Sequence, residues 1–188
     1  MSWLDQQAFR TVIQHTPLVA IDLIVENSAG EILLGKRCNR PAQGQWFVPG
    51  GRITKDETIP AAFSRLTEVE LGLSIPMVRA LFQGVYEHHY PDNFIDESFS
   101  THYVVLAYHL SMELDLNELP VDQHNAYRWW PQVTLLGAEE VHQHTKWYFG
   151  TEHRAKPHGV SSRPVTYYLS QFSRWSPSED QNALRISR

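Results

Sequence analysis

The chain has 188 residues, 42% of them hydrophobic and 12% aromatic, and carries a net charge of −5. That length and apolar content suit one domain with a sizeable core and exclude a disordered chain, and the acidic balance argues against binding to a nucleic-acid duplex. The lone Cys38 rules out an internal disulfide framework and fits a reducing cytoplasm, the first ten residues lack the basic start and apolar core of a signal peptide, and no apolar run approaches the roughly 20 residues that span a bilayer.

Residues 4–14 read as a short amphipathic helix, and residues 17–26 and 31–37 as two strands of a hairpin joined by the turn 27–30. In the first strand Asp22 interrupts an apolar run on the face of Leu18, Ala20 and Ile24, which aims a carboxylate inward, where a charge needs a partner. A structural salt bridge and a substrate contact both account for it. Arg37 closes the second strand on the face of Leu33 and Gly35, either as a solvated strand end or as a fork of donors for anionic oxygens.

Residues 41–45 form a loop and 46–49 a brief strand. The segment 50–73 then reads as a glycine-opened loop feeding a helix. Thr58 suits the N-cap, Pro60 fits only the first turn, and Gly72 can take the left-handed conformation that stops the helix. Leu66 and Glu70 lie one turn apart on one face, so a single carboxylate faces the loop. Arg65 and Glu57 read as a pair bracing loop against helix. Arg52, directly after Gly50 and Gly51, can meet a phosphate at the loop backbone or lie in solvent.

Residues 77–90 read as a long strand and 101–110 as its partner, with a mobile loop between them; 127–130 form a short strand and 137–149 a closing helix. Trp129 and Trp130 read as core. His89, His142, His144, His153 and His158 read as surface histidines, because their spacing gathers no third ligand or acid partner. From Ser161 the composition shifts to Ser, Arg and Pro, which divides the chain into a domain over 1–160 and an extension over 161–188 of unassigned role. Strands and helices interleaved in this way predict the α/β class, as an α/β/α sandwich around a mixed β-sheet.

The segment 50–73 resembles the Nudix signature, G-x5-E-x7-R-E-U-x-E-E-x-G-U with U a bulky aliphatic. The chain supplies Gly51, Glu57, Arg65, Glu70, Gly72 and Leu73, and departs with Leu66 and Val69 at two glutamate positions and Thr67 at an aliphatic one. Together with residues 16–27, 33–52, 62–67, 70–73, 101–105 and 123–129, this altered signature resembles that of the GDP-mannose mannosyl hydrolases, a branch of the Nudix superfamily. The similarity runs over about residues 4–155.

The resemblance implies the Nudix fold and hydrolysis of GDP-mannose, or GDP-glucose, to GDP and the free sugar, with water attacking the anomeric carbon and inverting it. It implies magnesium, with manganese as the alternative ion, held by the Gly50 carbonyl, the Glu70 carboxylate and the Gln123 amide oxygen. It assigns His124 as general base and places Asp22, Arg37, His88 and Tyr103 among the catalytic residues. Arg52, Arg65 and Tyr90 fall among the substrate-binding ones. His88, Tyr90 and Tyr103 would then flank the leaving group and sugar, with a cation or hydroxyl donor there stabilising charge on GDP. It also implies a homodimer, with a small-molecule GDP-sugar as partner and neither nucleic acid nor membrane. Two other readings stay open: a Nudix pyrophosphohydrolase cutting a P–O bond, and a non-catalytic nucleotide-sugar-binding module.

Overall fold

The computed structural model describes residues 4–150. The boundary expected at 160, the extension beyond it, and His153 and His158 lie outside the described residues. The strand β1 (Leu18–Glu26) is the axis of the fold. Its side chains alternate between two apolar clusters, with Ala20 and Ile24 in one and Ile21, Leu23 and Val25 in the other. Burial on both faces is what its nearly continuous apolar run calls for.

Along its whole length β1 pairs in parallel with β6 (Thr101–Ser111), from Leu18 opposite Tyr103 to Glu26 opposite Ser111. On its other side the short β4 (Gly50–Arg52) pairs antiparallel with Ala20–Asp22. The following strand, β2 (Glu31–Arg37), meets β1 only at Glu26 opposite Ile32. The expected hairpin is therefore paired at its turn, where the Asn27 side chain accepts the amides of Ala29 and Glu31, and splays beyond it. There β4 occupies the flank of β1, and β2 pairs instead with β3 (Trp46–Phe47) and β7 (His124–Pro131). The antiparallel β5 (Leu81–Tyr90) completes a mixed seven-stranded sheet beside β6.

One face of the sheet is covered by α2 (Ile59–Leu71), which sends Ala62, Phe63, Leu66 and Leu71 into the cluster of Ile21, Leu23 and Val25. On the other face, α3 (Gln132–Gly137) contributes Leu135, and Tyr148, just after α4 (Gln143–Trp147), packs with Ala20, Ile24 and Trp130. The result is the expected α/β/α sandwich. The N-terminal helix α1 (Gln6–His15) is capped by the Asp5 carboxylate, which accepts the Ala8 amide at 2.8 Å.

Three expectations change in detail. Of the closing helix expected over 137–149 only α4 (Gln143–Trp147) forms, because Val141 is drawn out to bridge Trp46, and Trp46 exchanges backbone hydrogen bonds with Glu140 and His142. The strand over 77–90 opens as a 3-10 turn at Met77–Arg79. The loop expected to be mobile is knitted together instead: the Asn93 side chain donates to Asp96 and the Phe99 carbonyl, and Arg40 pairs with Asp92 at 3.0 Å and Glu97 at 2.6 Å.

The ends of α2 follow the sequence reading. Thr58 Oγ1 accepts the Ala61 amide at 3.3 Å, Pro60 sits in the first turn, and Gly72 ends the helix at φ 74°. Thr67, where the signature has an aliphatic, is fully buried, yet both polar capacities of its hydroxyl are met. It donates to the Ser64 carbonyl at 2.9 Å and accepts the Ile75 amide at 2.9 Å. Thr67→Val should therefore lower stability by about 1–3 kcal/mol, the cost of stranding a buried amide, although it restores the usual residue type. Urea unfolding checks this, and an unchanged or raised midpoint would refute it.

Candidate active site

A cavity of about 410 Å³ opens beside β1 and β4, and Asp22, Arg37, Gly50, Arg52, Arg65, His88, Tyr90, Tyr103 and Gln123 all line it. These are nine of the eleven candidate residues. Glu70 and His124 lie behind the lining. Leu66 and Val69 line the cavity as well, so the two departures from the signature present hydrocarbon where the pattern has carboxylates.

The register of β4 on β1 sets Asp22 opposite Gly50. A Cβ on Gly50 would fall 2.5 Å from the Ile21 carbonyl oxygen and 2.6 Å from Asp22 Oδ1, so only glycine lets the loop backbone lie against that carboxylate. Asp22 Oδ2 accepts a 2.5 Å hydrogen bond from the Tyr148 hydroxyl. Burial raises the Asp22 pKa to about 6, against the lowering pull of Tyr148 and Arg37.

Strict alternation would place Arg37 on the face of Leu33 and Gly35. The β2–β7 pairing shifts register between Gly35 and Arg37, and the guanidinium lies 5.7 Å from the centre of the Phe47 ring, in the cavity wall with Asp22. Its Nε is buried without a hydrogen-bond partner, a donor suited to an anionic oxygen. The Arg52 guanidinium rests 4.0 Å from the ring centre of Phe9 on α1, and burial lowers its pKa.

Arg65, expected among the substrate-binding residues, is committed elsewhere. It donates to both Glu57 oxygens at 2.6 and 2.8 Å and to the Arg52 carbonyl at 2.9 Å, and Glu57 also accepts the Thr54 amide at 3.0 Å. Arg65 thus shapes the loop that carries Arg52. These hydrogen bonds hold the Glu57 pKa at about 2, with the Arg65 bond the largest cause.

Behind the cavity wall, Glu70 is 1% exposed; it accepts the Gln123 amide at 2.9 Å and lies 3.6 Å from His124 Nδ1. Burial lifts its pKa to about 7; Arg37 opposes the rise and Asp22 adds to it. His124 is neutral, its pKa lowered to about 4 first by burial and then by Arg37. Glu70 is therefore a buried carboxylate short of positive charge. The Gln123 amide is bound to it, and the hard oxygens of such a carboxylate fit a divalent cation; Nudix hydrolases generally use one such as magnesium. Among the described residues, no three His, Cys, Asp or Glu side chains gather to hold a metal alone. Neutral oxygens and the ligand's own phosphates would have to complete the shell.

The tautomer of His124 follows from its neighbour. Tyr127 gives its hydroxyl proton to the Pro120 carbonyl at 2.7 Å, so toward His124 Nδ1, 3.3 Å away, its oxygen can only accept. A neutral His124 then carries its proton on Nδ1 and leaves Nε2 free to take one. The ring lies against Gly35, where a Cβ would come within 2.5 Å of it.

His88 is neutral too, with burial the leading cause that lowers its pKa to about 3. It stacks on His144 with ring centres 4.2 Å apart. His144, read from the sequence as a surface residue, is 1% exposed, and His142 is half-buried against Phe47 and Tyr90; His89 is exposed as expected. Trp130 is buried in the core and Trp129 packs beside the α2 cluster. Sequence reasoning missed Tyr148, which lies 126 positions from the carboxylate it serves; no local period could have joined them.

The sequence matches the NUDIX domain family over residues 16–150, and the chain belongs to that family. It is accordingly a Nudix hydrolase, an enzyme acting on a nucleotide-type substrate. It is 35% identical over 116 residues to the Low-salt glycan biosynthesis protein Agl8 of Haloferax volcanii, covering 62% of this chain and 72% of that one. It is 44% identical over 70 residues to the ADP-ribose pyrophosphatase of Methanocaldococcus jannaschii, covering 37% of this chain and 40% of that one. Among solved structures, the MutT NUDIX hydrolase from Burkholderia pseudomallei superposes with a TM-score of 0.56 at 26% identity, over 71% of this chain and 96% of its own.

The Glu57–Arg65 brace carries a pH signature. Its pKa falls on folding from 4.5 to about 2, so the carboxylate contributes stability that is complete above pH 4.5 and is lost as the pH falls through about 2. Glu57→Gln should cost about 1.5–3 kcal/mol at pH 7, as expected for hydrogen bonds to a charged group. The deficit should narrow below pH 4.5. Denaturant titrations of both proteins from pH 7 to pH 3 test this, and a pH-independent difference would contradict it.

Proposed function

We propose that the protein hydrolyses a GDP-sugar, GDP-mannose or GDP-glucose, by attack of water at the anomeric carbon, releasing GDP and the inverted sugar. The observation that carries this reading is the pair Leu66 and Val69 in the cavity wall. They remove two carboxylates from the helix that would concentrate cations on a diphosphate, and leave Glu70, behind the cavity wall, as the signature carboxylate that remains there. The glycan-biosynthesis protein of Haloferax volcanii supports a sugar-linked substrate, since it is the longer of the two curated matches described above.

In this reading Arg37 and Arg52 meet the diphosphate oxygens, and the buried Nε of Arg37 gains an acceptor. Asp22 and Tyr103 face the sugar and its leaving oxygen. His88, neutral, acts as a hydrogen-bonding group rather than a charge. A magnesium or manganese ion held by Glu70, the Gln123 amide oxygen and the Gly50 carbonyl would supply charge to stabilise the departing GDP. His124 accepts the proton of the attacking water at Nε2. The imidazole is 3% exposed behind Gln123, so this role requires the exposed segment Val121–Gln123 to shift when substrate binds. We also propose that the enzyme is a cytoplasmic homodimer, on the resemblance alone.

A second reading, pyrophosphohydrolysis at phosphorus, is favoured by the 44% identity to an ADP-ribose pyrophosphatase. Hydrolysis in ¹⁸O-water with magnesium separates the two. Label in the free sugar beside unlabelled GDP supports attack at carbon, whereas label in GMP or a sugar phosphate establishes attack at phosphorus. His124→Gln should reduce turnover by about 10²- to 10⁴-fold with the affinity for GDP little changed, the usual effect of removing a positioned base. Near-normal turnover in that variant would transfer the base role to Asp22, the carboxylate in the cavity itself.

A further inference from the structure

The Asp22 carboxylate is gripped from behind. One oxygen, Oδ1, lies against the Gly50 backbone at the cavity wall, and the other, Oδ2, takes the short hydrogen bond from Tyr148. Tyr148 is 3% exposed and does not line the cavity, so it touches no ligand there. It is itself closely held. Its carbonyl accepts the Gln83 side-chain amide at 2.6 Å, its own amide donates to Thr145 at 3.2 Å, and its ring meets Tyr86 edge-on with centres 4.8 Å apart.

The hydroxyl has one proton, and Asp22 receives it. Toward His88 Nε2, 3.2 Å away, the Tyr148 oxygen can therefore only accept, which places the proton of the neutral His88 on Nε2. The order of donation is fixed: His88 to Tyr148, Tyr148 to Asp22. Both His88 and Asp22 line the cavity, and Tyr148 joins them from outside it.

We propose that Tyr148 is a positioning residue, which sets the orientation of Asp22 and His88 toward the sugar of the bound substrate. The substrate named here rests on the GDP-sugar reading; the orientation itself does not. A carboxylate with two free torsions and only one side packed would sample several rotamers. Anchoring one oxygen leaves a single arrangement to meet hydroxyls, and removes an ordering cost that substrate would otherwise bear.

The test is a double-mutant cycle on the full chain, with magnesium. Tyr148→Phe keeps the ring packing and deletes the hydroxyl. It should lower kcat/KM for GDP-mannose by about 10- to 100-fold, the range for one hydrogen bond to a charged group, while Kd for GDP, which lacks the sugar, stays within about twofold. In an Asp22→Ala background, which leaves Tyr148 no side-chain oxygen there to orient, the same change should cost less than in wild type, because only the part exerted through His88 remains. Equal losses in both backgrounds, or parallel losses of GDP affinity, would show a general structural role and overturn the proposal.

A second readout does not depend on turnover. The buried 2.5 Å hydrogen bond should give a slowly exchanging, downfield hydroxyl proton in the wild-type NMR spectrum, absent from Tyr148→Phe and displaced in Asp22→Asn. If wild type fails to hydrolyse GDP-mannose but shows this signal with its Asp22 dependence, the substrate reading falls and the positioning role stands. A signal indifferent to Asp22→Asn sinks the positioning role, whatever the substrate.

Discussion

The closeness of Gly50 to Asp22 governs the geometry of the whole cavity. The strand β1 is buried on both faces, so it cannot shift or rotate without exposing one of two apolar clusters. Pairing β4 on it fixes the start of the signature loop against Asp22 with no room for a side chain between them. From that fixed point the loop runs through Arg52 to Glu57, where Arg65 ties it to α2 and the helix sets Leu66 and Val69 in the wall with Glu70 behind it. The β1–β6 register then brings Tyr103 opposite Leu18, and β5 brings His88 opposite Tyr103. A one-residue slip in any of these pairings would turn the corresponding side chain away from the cavity.

The electrostatics of the site follow from that burial. Asp22 and Glu70 both sit above the usual carboxylate range, while His88 and His124 sit below the usual imidazole range, and desolvation is the leading cause in all four. Each group is pushed toward its neutral form, and the cavity meets its ligand with little net charge from these four. Arg37 is the positive group that recurs in their surroundings, opposing the rise at Asp22 and Glu70 and reinforcing the fall at His124. A diphosphate and a cation entering together would restore the charged forms of the carboxylates without leaving either charge uncompensated.

Much of this was legible in the sequence wherever a local rule applied. The limits of α2, its Thr58 cap, its Gly72 stop and the Glu57–Arg65 pair each depend on residues within a few turns of one another, and the structure holds them as read. What escaped depended on distant segments meeting. The hairpin splays because β4 takes the flank of β1, and the closing helix breaks because Val141 finds Trp46. His144 looked like a surface residue because nothing near it in sequence reveals that His88, on another strand, will stack on it. The candidate residues that resemblance supplied, such as Gln123, had no local signal at all.

The same map bears on which atom the water attacks. A pyrophosphohydrolase gathers carboxylates on its signature helix so that cations bracket the phosphorus and make it the most electrophilic atom. Here the helix presents Leu66 and Val69 to the cavity, and positive charge from the protein comes instead from Arg37 and Arg52, which can neutralise diphosphate oxygens without supplying a metal-bound nucleophile. That distribution improves the diphosphate as a leaving group more than it activates phosphorus toward attack. A sugar whose leaving group is so stabilised loosens at its anomeric carbon. The polar groups that meet the sugar in the proposed reading, Asp22 and Tyr103 with His88 beside them, are acceptors and neutral donors suited to holding hydroxyls rather than phosphates. Two arginines that can neutralise a diphosphate, with hydrocarbon at two positions of the helix where carboxylates would gather cations, are the physical argument for carbon over phosphorus in the proposed reading.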